Sequence, residues 1–205
     1  RTVASIPDIV DLNVEASRIV LATLLEANPI YTNAILVDLK GDVVAAGKNH
    51  DNAKKMNFAD RKQFKDAIFF KRFSSGEFVV GKSSKKAIFP FGMPVKNAQG
   101  EVVGALIIGV SLSHYGEYFA RGHYSPDSFF GISDRNGIHL FRYPANDNAA
   151  CGKPIEKEVF EAALSGGRSG SLSAVSCDGE ERNIAFEPLR LNDNAEPYMY
   201  LFLGI

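Results

Sequence analysis

The chain has 205 residues, with 23 Lys and Arg against 24 Asp and Glu, and 45% of its residues are hydrophobic. That length accommodates one elongated domain or two modules of about 100 residues each, with enough apolar material for globular cores. The near-neutral balance argues against nucleic acid as a partner, and no apolar run approaches the roughly 18 residues that a membrane-crossing helix needs.

In chain order, residues 7–27 read as one amphipathic helix. Ile9, Leu12, Ala16, Ile19, Val20 and Leu24 recur at helical spacing, Asp8 and Asp11 lie in the first turn, and Asn28-Pro29 stops it. Such a face packs on its own domain or on a second copy in a homodimer. A hairpin follows, 33–39 with 42–46, around Lys40-Gly41, and then a polar loop over 47–57. Residues 60–73 read as a short helix with Phe64, Ala67 and Ile68 turned inward, broken by Ser74-Ser75-Gly76, and 77–80 as a short strand.

The longest β pattern is a hairpin of 86–95 with 101–112, turning at Asn97-Ala98-Gln99-Gly100. Its second arm is apolar almost without a break, which predicts a central strand covered on both faces. The first arm places Phe89, Phe91 and Met93 on one face, with Ile88, Pro90 and Gly92 between them. Pro90 and Pro94 cannot donate to a ladder, so this arm is expected to be irregular or at an edge. Aromatic, irregular backbone beside a rigid strand suits a small ligand, although ordinary core is the plainer reading.

Gly116, Gly122 and Pro126 interrupt a join, with a helical turn expected over 113–121. The second half then repeats the order: a hairpin of 128–133 with 138–143 about an Asn136-Gly137 turn, a helix at 156–165 stopped by Gly166-Gly167, and strands at 168–176, 182–191 and 198–205. Asp38-x-x-Gly41 matches Asp134-x-x-Gly137, and Pro94 matches Pro188, at an offset of about 95 residues. Two similar α+β modules follow from this, each with an antiparallel sheet of about five strands and flanking helices.

Charge is uneven along the chain. Between Asp60 and Lys96 there are nine Lys or Arg and three Asp or Glu. A solvated face explains most such runs. The functional alternative is that some of these cations bind a small anion, and Arg61 is the best candidate, because guanidinium recognises carboxylate bidentately. His50, His114, His123 and His139 show no metal spacing, and neither a phosphate loop nor a nucleophile with its base is recognisable. We therefore expect no cofactor, no metal and no enzymatic activity. Cys151 and Cys177 are either bridged, as an oxidising compartment would favour, or two buried thiols.

Three stretches carry a family resemblance. They are Phe58-Ala59-Asp60-Arg61-Lys62-Gln63-Phe64, then Phe78-Val79-Val80-Gly81, then Pro94-Val95 ahead of Gly100-Glu101-Val102-Val103-Gly104. Their order and spacing resemble the double Cache family, the tandem PAS-like (PDC-type) extracytoplasmic sensor domains of prokaryotic histidine kinases, chemoreceptors and diguanylate cyclases. The resemblance implies a long N-terminal helix over 1–30, a membrane-distal ligand-binding module over 31–113, a connector over 114–127 and a membrane-proximal module over 128–205. It also implies a periplasmic or extracellular part of an inner-membrane receptor, a sensor histidine kinase in the first place. Both ends of the sequence read as cut, so flanking membrane helices are expected outside this fragment. A structural or dimerisation module with a vestigial pocket is the alternative.

By the same resemblance, Arg61 matches the ligand-gripping arginine and Phe64 an aromatic that follows it. Gln63 replaces a tryptophan, and Gly109 stands where amino-acid-binding members place an aspartate for the ligand amine. A small carboxylate or similar anion is therefore the expected ligand. Phe58, Phe64, Phe70, Phe73, Phe89, Phe91 and Met93 are the expected walls, and Asp60, Arg61 and Lys86, with Ser83 and Ser84 nearby, the polar anchors.

Overall fold

The computed structural model describes residues 3–82, 84–114, 125, 127–166 and 168–205. The chain forms two units, Arg1–Ser111 and Leu112–Ile205. Both are α+β, and each is built on one antiparallel sheet. The expected connector lies outside the described residues except for His114, Ser125 and Asp127, as do Ser83 and the Gly167 helix stop.

In the first unit the strands are β1 (Tyr31–Asp38), β2 (Val43–Ala46), β3 (Ser74–Ser75), β4 (Val79–Val80), β5 (Ala87–Lys96) and β6 (Val102–Ser111). The order is β2-β1-β6-β5-β3, with β4 also pairing with β5. β6 thus has a strand on each side and a helical layer on each face, which is why Val102–Ser111 is apolar on both faces. Ile107 faces Ile35 on one side and Gly92 on the other, so these three share a face; Leu106, Leu36 and Met93 share the opposite one.

The first face is covered by α4 (Lys62–Phe70), where Phe58, Phe64 and Ala67 pack on Ile35, Val37, Ala105 and Ile107. The second is covered by α1 (Pro7–Val10) and α2 (Val14–Ala27), where Ile9, Leu21 and Leu25 pack on Ala34, Leu36, Val95 and Leu106. Each of these large apolar side chains contributes about 1.5–3 kcal/mol on burial. Gly92 lets α4 lie close: a Cβ there would come 2.3 Å from the Gln63 carbonyl oxygen. A four-residue helix, α3 (His50–Ala53), completes the unit.

Two expectations are corrected here, and a third holds. The single helix over 7–27 is two helices, because Leu12 adopts φ 54° and Asn13 starts a new helix by accepting a hydrogen bond from the Ala16 N–H. Ile19 consequently points to solvent, with 69% of its surface exposed. Helix α4 ends at Phe70, since Lys71 takes φ 54°, and Ser74–Ser75 pairs with Gly92 and Phe91 as a strand instead of merely breaking the helix. The expectation for β5 holds in its second form: the strand pairs along β6, with a register shift at Val95/Lys96, and its prolines lie where the far side is an open edge. Its prolines are tolerated because β3 and β4 cover only Phe91–Gly92 and Ala87–Ile88 on the other side.

The second unit contains β7 (Phe129–Asp134), β8 (His139–Tyr143), β9 (Gly170–Val175), β10 (Glu181–Leu189) and β11 (Met199–Gly204), ordered β8-β7-β11-β10-β9. One face is covered by α5 (Lys157–Gly166), whose Val159 and Ala163 pack with Ile184, Phe186, Tyr200 and Phe202. On β10, Glu181, Asn183, Ala185 and Glu187 alternate outward to solvent, the pattern of a sheet strand covered on one face.

Candidate functional site

The segment ahead of α4 is pinned to the β1–β2 turn. The Phe58 N–H donates to the Gly41 carbonyl at 2.8 Å, and the Asn57 amide donates to Lys40 O at 3.0 Å and to Asp42 Oδ1 at 2.7 Å. Arg61 then caps the helix in an extended conformation, and its carbonyl accepts from the N–H groups of Phe64 and Lys65. This geometry holds Phe58, Arg61 and Gln63 over the face of the sheet that α4 covers.

Beneath them is a cavity of about 30 Å³. Its floor is Thr32, Asn33 and Ile35 of β1, Ile107 and Gly109 of β6, and Ile88 and Pro90 of β5. Val79, Gly81, Lys82 and Ser84 close one side. Gly109 leaves part of the space: a Cβ there would meet Thr32 Oγ1 at 2.7 Å and Ile88 Cδ1 at 2.9 Å. The volume holds a few water molecules at most, far below the several hundred Å³ of drug-sized pockets.

Two lining residues carry charge, Arg61 and Lys82, and both are cations. Lys82 Nζ donates to Asp60 Oδ1 at 2.8 Å and to Asn57 O at 2.7 Å, and lies 5.5 Å from the centre of the Phe58 ring. Arg61 Nε is 3.7 Å from the other Asp60 oxygen. The hydrogen bond from Lys82, helped by the charges of Lys82 and Arg61, holds the Asp60 carboxyl below its usual range, against a smaller opposing effect of burial. The Asn33 amide is committed to backbone, accepting from Ala34 and Lys48 N–H groups and donating to Lys48 O. Among the lining residues there is no carboxylate.

The sequence-predicted residues separate into two groups. Phe58 and Arg61 line the cavity, Asp60 sits at its rim in contact with both cations, and Ser84 is part of the wall. Phe64 is buried in the α4 core rather than in the cavity lining. Phe89, Phe91 and Met93 lie on the opposite face of β5, because strand residues alternate and it is Ile88, Pro90 and Gly92 that face α4. Phe91 stacks there on Phe73, with ring centres 5.3 Å apart. Phe70 and Phe73 are exposed. Lys86 is exposed and outside the lining; Lys82 takes the place expected for it. Lys82, Thr32, Ile88 and Pro90 were missed. Lys82 belongs to the basic run, but nothing in the sequence separates it from Lys85 or Lys86.

Cys151 and Cys177 are unbridged, and burial raises the pKa of both thiols. Among the described residues no group of three or more His, Cys, Asp or Glu is placed to hold a metal, and no helix is long and apolar enough to cross a membrane.

With this geometry in hand, similar solved structures are informative. The chain superposes on the extracellular domain of rpHK1S-Z16, described as a histidine kinase, with a TM-score of 0.75 at 14% identity, covering 96% of this chain and 82% of that one. The ligand-binding domain of the Pseudomonas fluorescens chemoreceptor CtaA, solved with L-alanine, gives 0.69 at 17% identity over 98% and 84%. The sensor domain of the V. cholerae histidine kinase DctB gives 0.63 at 14% identity over 98% and 83%. The fold is that of extracytoplasmic sensor domains. The CtaA ligand-binding domain has also been solved with L-serine and with L-leucine. No family model and no curated sequence matches the chain.

Proposed function

We propose that this chain is the ligand-sensing part of a membrane signalling receptor, of the double Cache type and in the first place a sensor histidine kinase, exposed to the periplasm or the exterior. The first unit binds a small anion, a carboxylate by preference, between α4 and the sheet. The observation that carries this reading is the pair Arg61 and Lys82 in a lining with no carboxylate of its own. Arg61 grips the carboxylate, Lys82 neutralises its second oxygen or a second acid group, and Phe58 and Ile107 keep water out and strengthen both interactions. An α-amino acid lacks its amine partner here, since Gly109 offers no acid.

The cavity is small, so the ligand must either be of acetate size or push the 81–86 segment outward. Signalling needs a ligand that prefers one of two arrangements of the unit. A thermal-shift screen of small organic acids against the wild-type chain and Arg61→Ala tests the reading. A stabilising acid whose effect vanishes in Arg61→Ala is the expected result.

The cavity volume also favours a second reading, a structural or dimerisation module with a vestigial pocket. Under that reading no acid shifts the wild-type melting temperature, and sedimentation shows a dimer that variants on α2 dissociate.

A further inference from the structure

The second unit carries a basic cluster that the first-unit site does not use. Apart from β4, its strand order repeats that of the first unit, and α5 covers the face that α4 covers there. In the first unit the cavity lies on Asn33, Gly109 and Pro90, which are neighbours across β1, β6 and β5. The corresponding row in the second unit is Phe129, Gly204 and Ile184. Two arginines share that face: Arg142 of β8, paired with Gly131, and Arg182 of β10, two positions before Ile184.

The guanidinium carbon of Arg142 sits 3.8 Å from the centre of the Phe129 ring. Arg142 and Arg182 both donate through Nη2 to one oxygen, Oδ2 of Asp178, at 3.2 and 3.1 Å. Their side chains are only 5% and 15% exposed. The Nε of each is buried without a hydrogen-bond partner, and so are both ring nitrogens of the buried His139. Arg182 Nη1 also donates to the Asp127 carbonyl; among the described residues the two cations share one acid, and their Nε groups face no acceptor. Buried charge without its counter-charge and buried donors without acceptors are both costly, and native structures keep few of them. The edge of a guanidinium that carries Nε is also one that clamps an oxyanion bidentately.

We propose that Arg142 and Arg182 form a second binding site, in the second unit, for a small oxyanion of the carboxylate or phosphate class. The oxyanion supplies the missing negative charge and accepts from the Nε groups, Asp178 holds the two arginines together, and Phe129 is the apolar floor. The site stands independently of the reading given to Arg61. His139 supplies a local reporter. Burial, with the Arg142 charge, lowers its pKa to about 4, so an arriving anion that offsets Arg142 moves its titration upward.

The test uses the whole chain carrying Arg61→Ala, which removes the first-unit cation from the experiment. Histidine ring signals are followed by NMR while sodium succinate, or in a separate arm inorganic phosphate, is added at constant ionic strength. The expected result is a saturating shift of the His139 signals, assigned with His139→Gln, in at least one arm. Response to succinate alone assigns a carboxylate ligand, and response to phosphate alone a phosphate. Arg182→Gln weakens the effective anion by about thirty-fold or more. Arg182→Lys, which keeps the charge and the packing stem, also weakens it by losing the bidentate edge. No saturating shift in either arm overturns the proposal, as does an equal shift with sodium chloride or an unchanged titration in a folded Arg182 variant. The chloride comparison needs no Arg182 variant, so the result does not hang on one that fails to fold.

Discussion

Lys82 reaches back to Asp60 across the mouth of the first-unit cavity, Nζ to Oδ1 at 2.8 Å. Asp60 is 63% exposed, so the pair is a surface ion pair and contributes well under about 1 kcal/mol to folding. Under the proposed function its larger effect is on the ligand, because Asp60 competes with an incoming carboxylate for Lys82 and Arg61. Asp60→Asn should therefore leave the melting temperature nearly unchanged and tighten binding of the acid found in the screen, read by calorimetric titration. Since the folded-state pKa is lowered, what stability the pair gives is present above the unfolded value near pH 4 and fades as pH falls through the folded value.

Arg61 and Lys86 should behave oppositely. Arg61→Ala removes one partner of a partly desolvated charge pair and should cost about 2–5 kcal/mol of ligand affinity. Lys86 lies outside the lining and is exposed, so Lys86→Ala should change affinity less than about three-fold by the same titration. Equal losses in the two variants would place the ligand elsewhere.

The packing of α2 makes a sharp stability contrast. Leu21 is fully buried between α2 and the sheet, so Leu21→Ala should cost about 2–5 kcal/mol in urea unfolding. Ile19→Ala, two positions away, should stay within about 0.5 kcal/mol, because Ile19 lies in solvent. At Leu12, where φ is 54°, Leu12→Gly should cost less than Leu12→Ala, because glycine relieves the backbone while both lose the same packing on the core.

Gly92→Ala should destabilise the first unit by about 1–3 kcal/mol, since the added methyl meets a carbonyl of α4 that cannot rotate away. Gly109→Ala meets the ends of two side chains instead and should cost less. Chemical denaturation ranks the two.

His139 should give the second unit a pH slope. Its folded pKa of about 4 lies below the unfolded value near 6.5, so the unfolded chain binds the extra proton first as pH falls. Stability from this group is full above about pH 6.5 and is lost between there and pH 4, by up to about 3 kcal/mol. His139→Gln should remove the slope in unfolding measured across that range.

The sheets were legible in the sequence for local reasons. Gly41, Gly100 and Gly137 all adopt positive φ at the turns where the sequence places them, and the unbroken apolar run of β6 marks a strand with a layer on each face. The split at Leu12 was not legible. Apolar spacing continues through it, and only packing on the sheet decides that Ile9 and Leu21 are buried from two separate helices. Of the expected site, Arg61, Phe58 and Gly109 line the cavity, whereas the expected face of β5 does not. Alternation divides Phe89 from Pro90 with certainty, but which face meets the ligand depends on which layer covers it, and the aromatic side is the one turned toward the N-terminal helices. Lys82 and Lys86 are equivalent in composition; the short β4 pairing with Ala87–Ile88 turns one inward and leaves the other outside.

The central position of β6 has a mechanical consequence. Ile107 and Gly109 border the cavity, while Leu106, between them and α2, is in the same cluster as Leu21 and Leu25. The partition between the cavity and the N-terminal helices is a single extended backbone. Pressure applied at Gly109 therefore arrives at Leu21 without crossing a loop, a hinge or a second layer, and a close-packed interior transmits such strain with little give. Under the proposed function, the surface that meets the ligand and the surface that meets the N-terminal helices are the two sides of one strand.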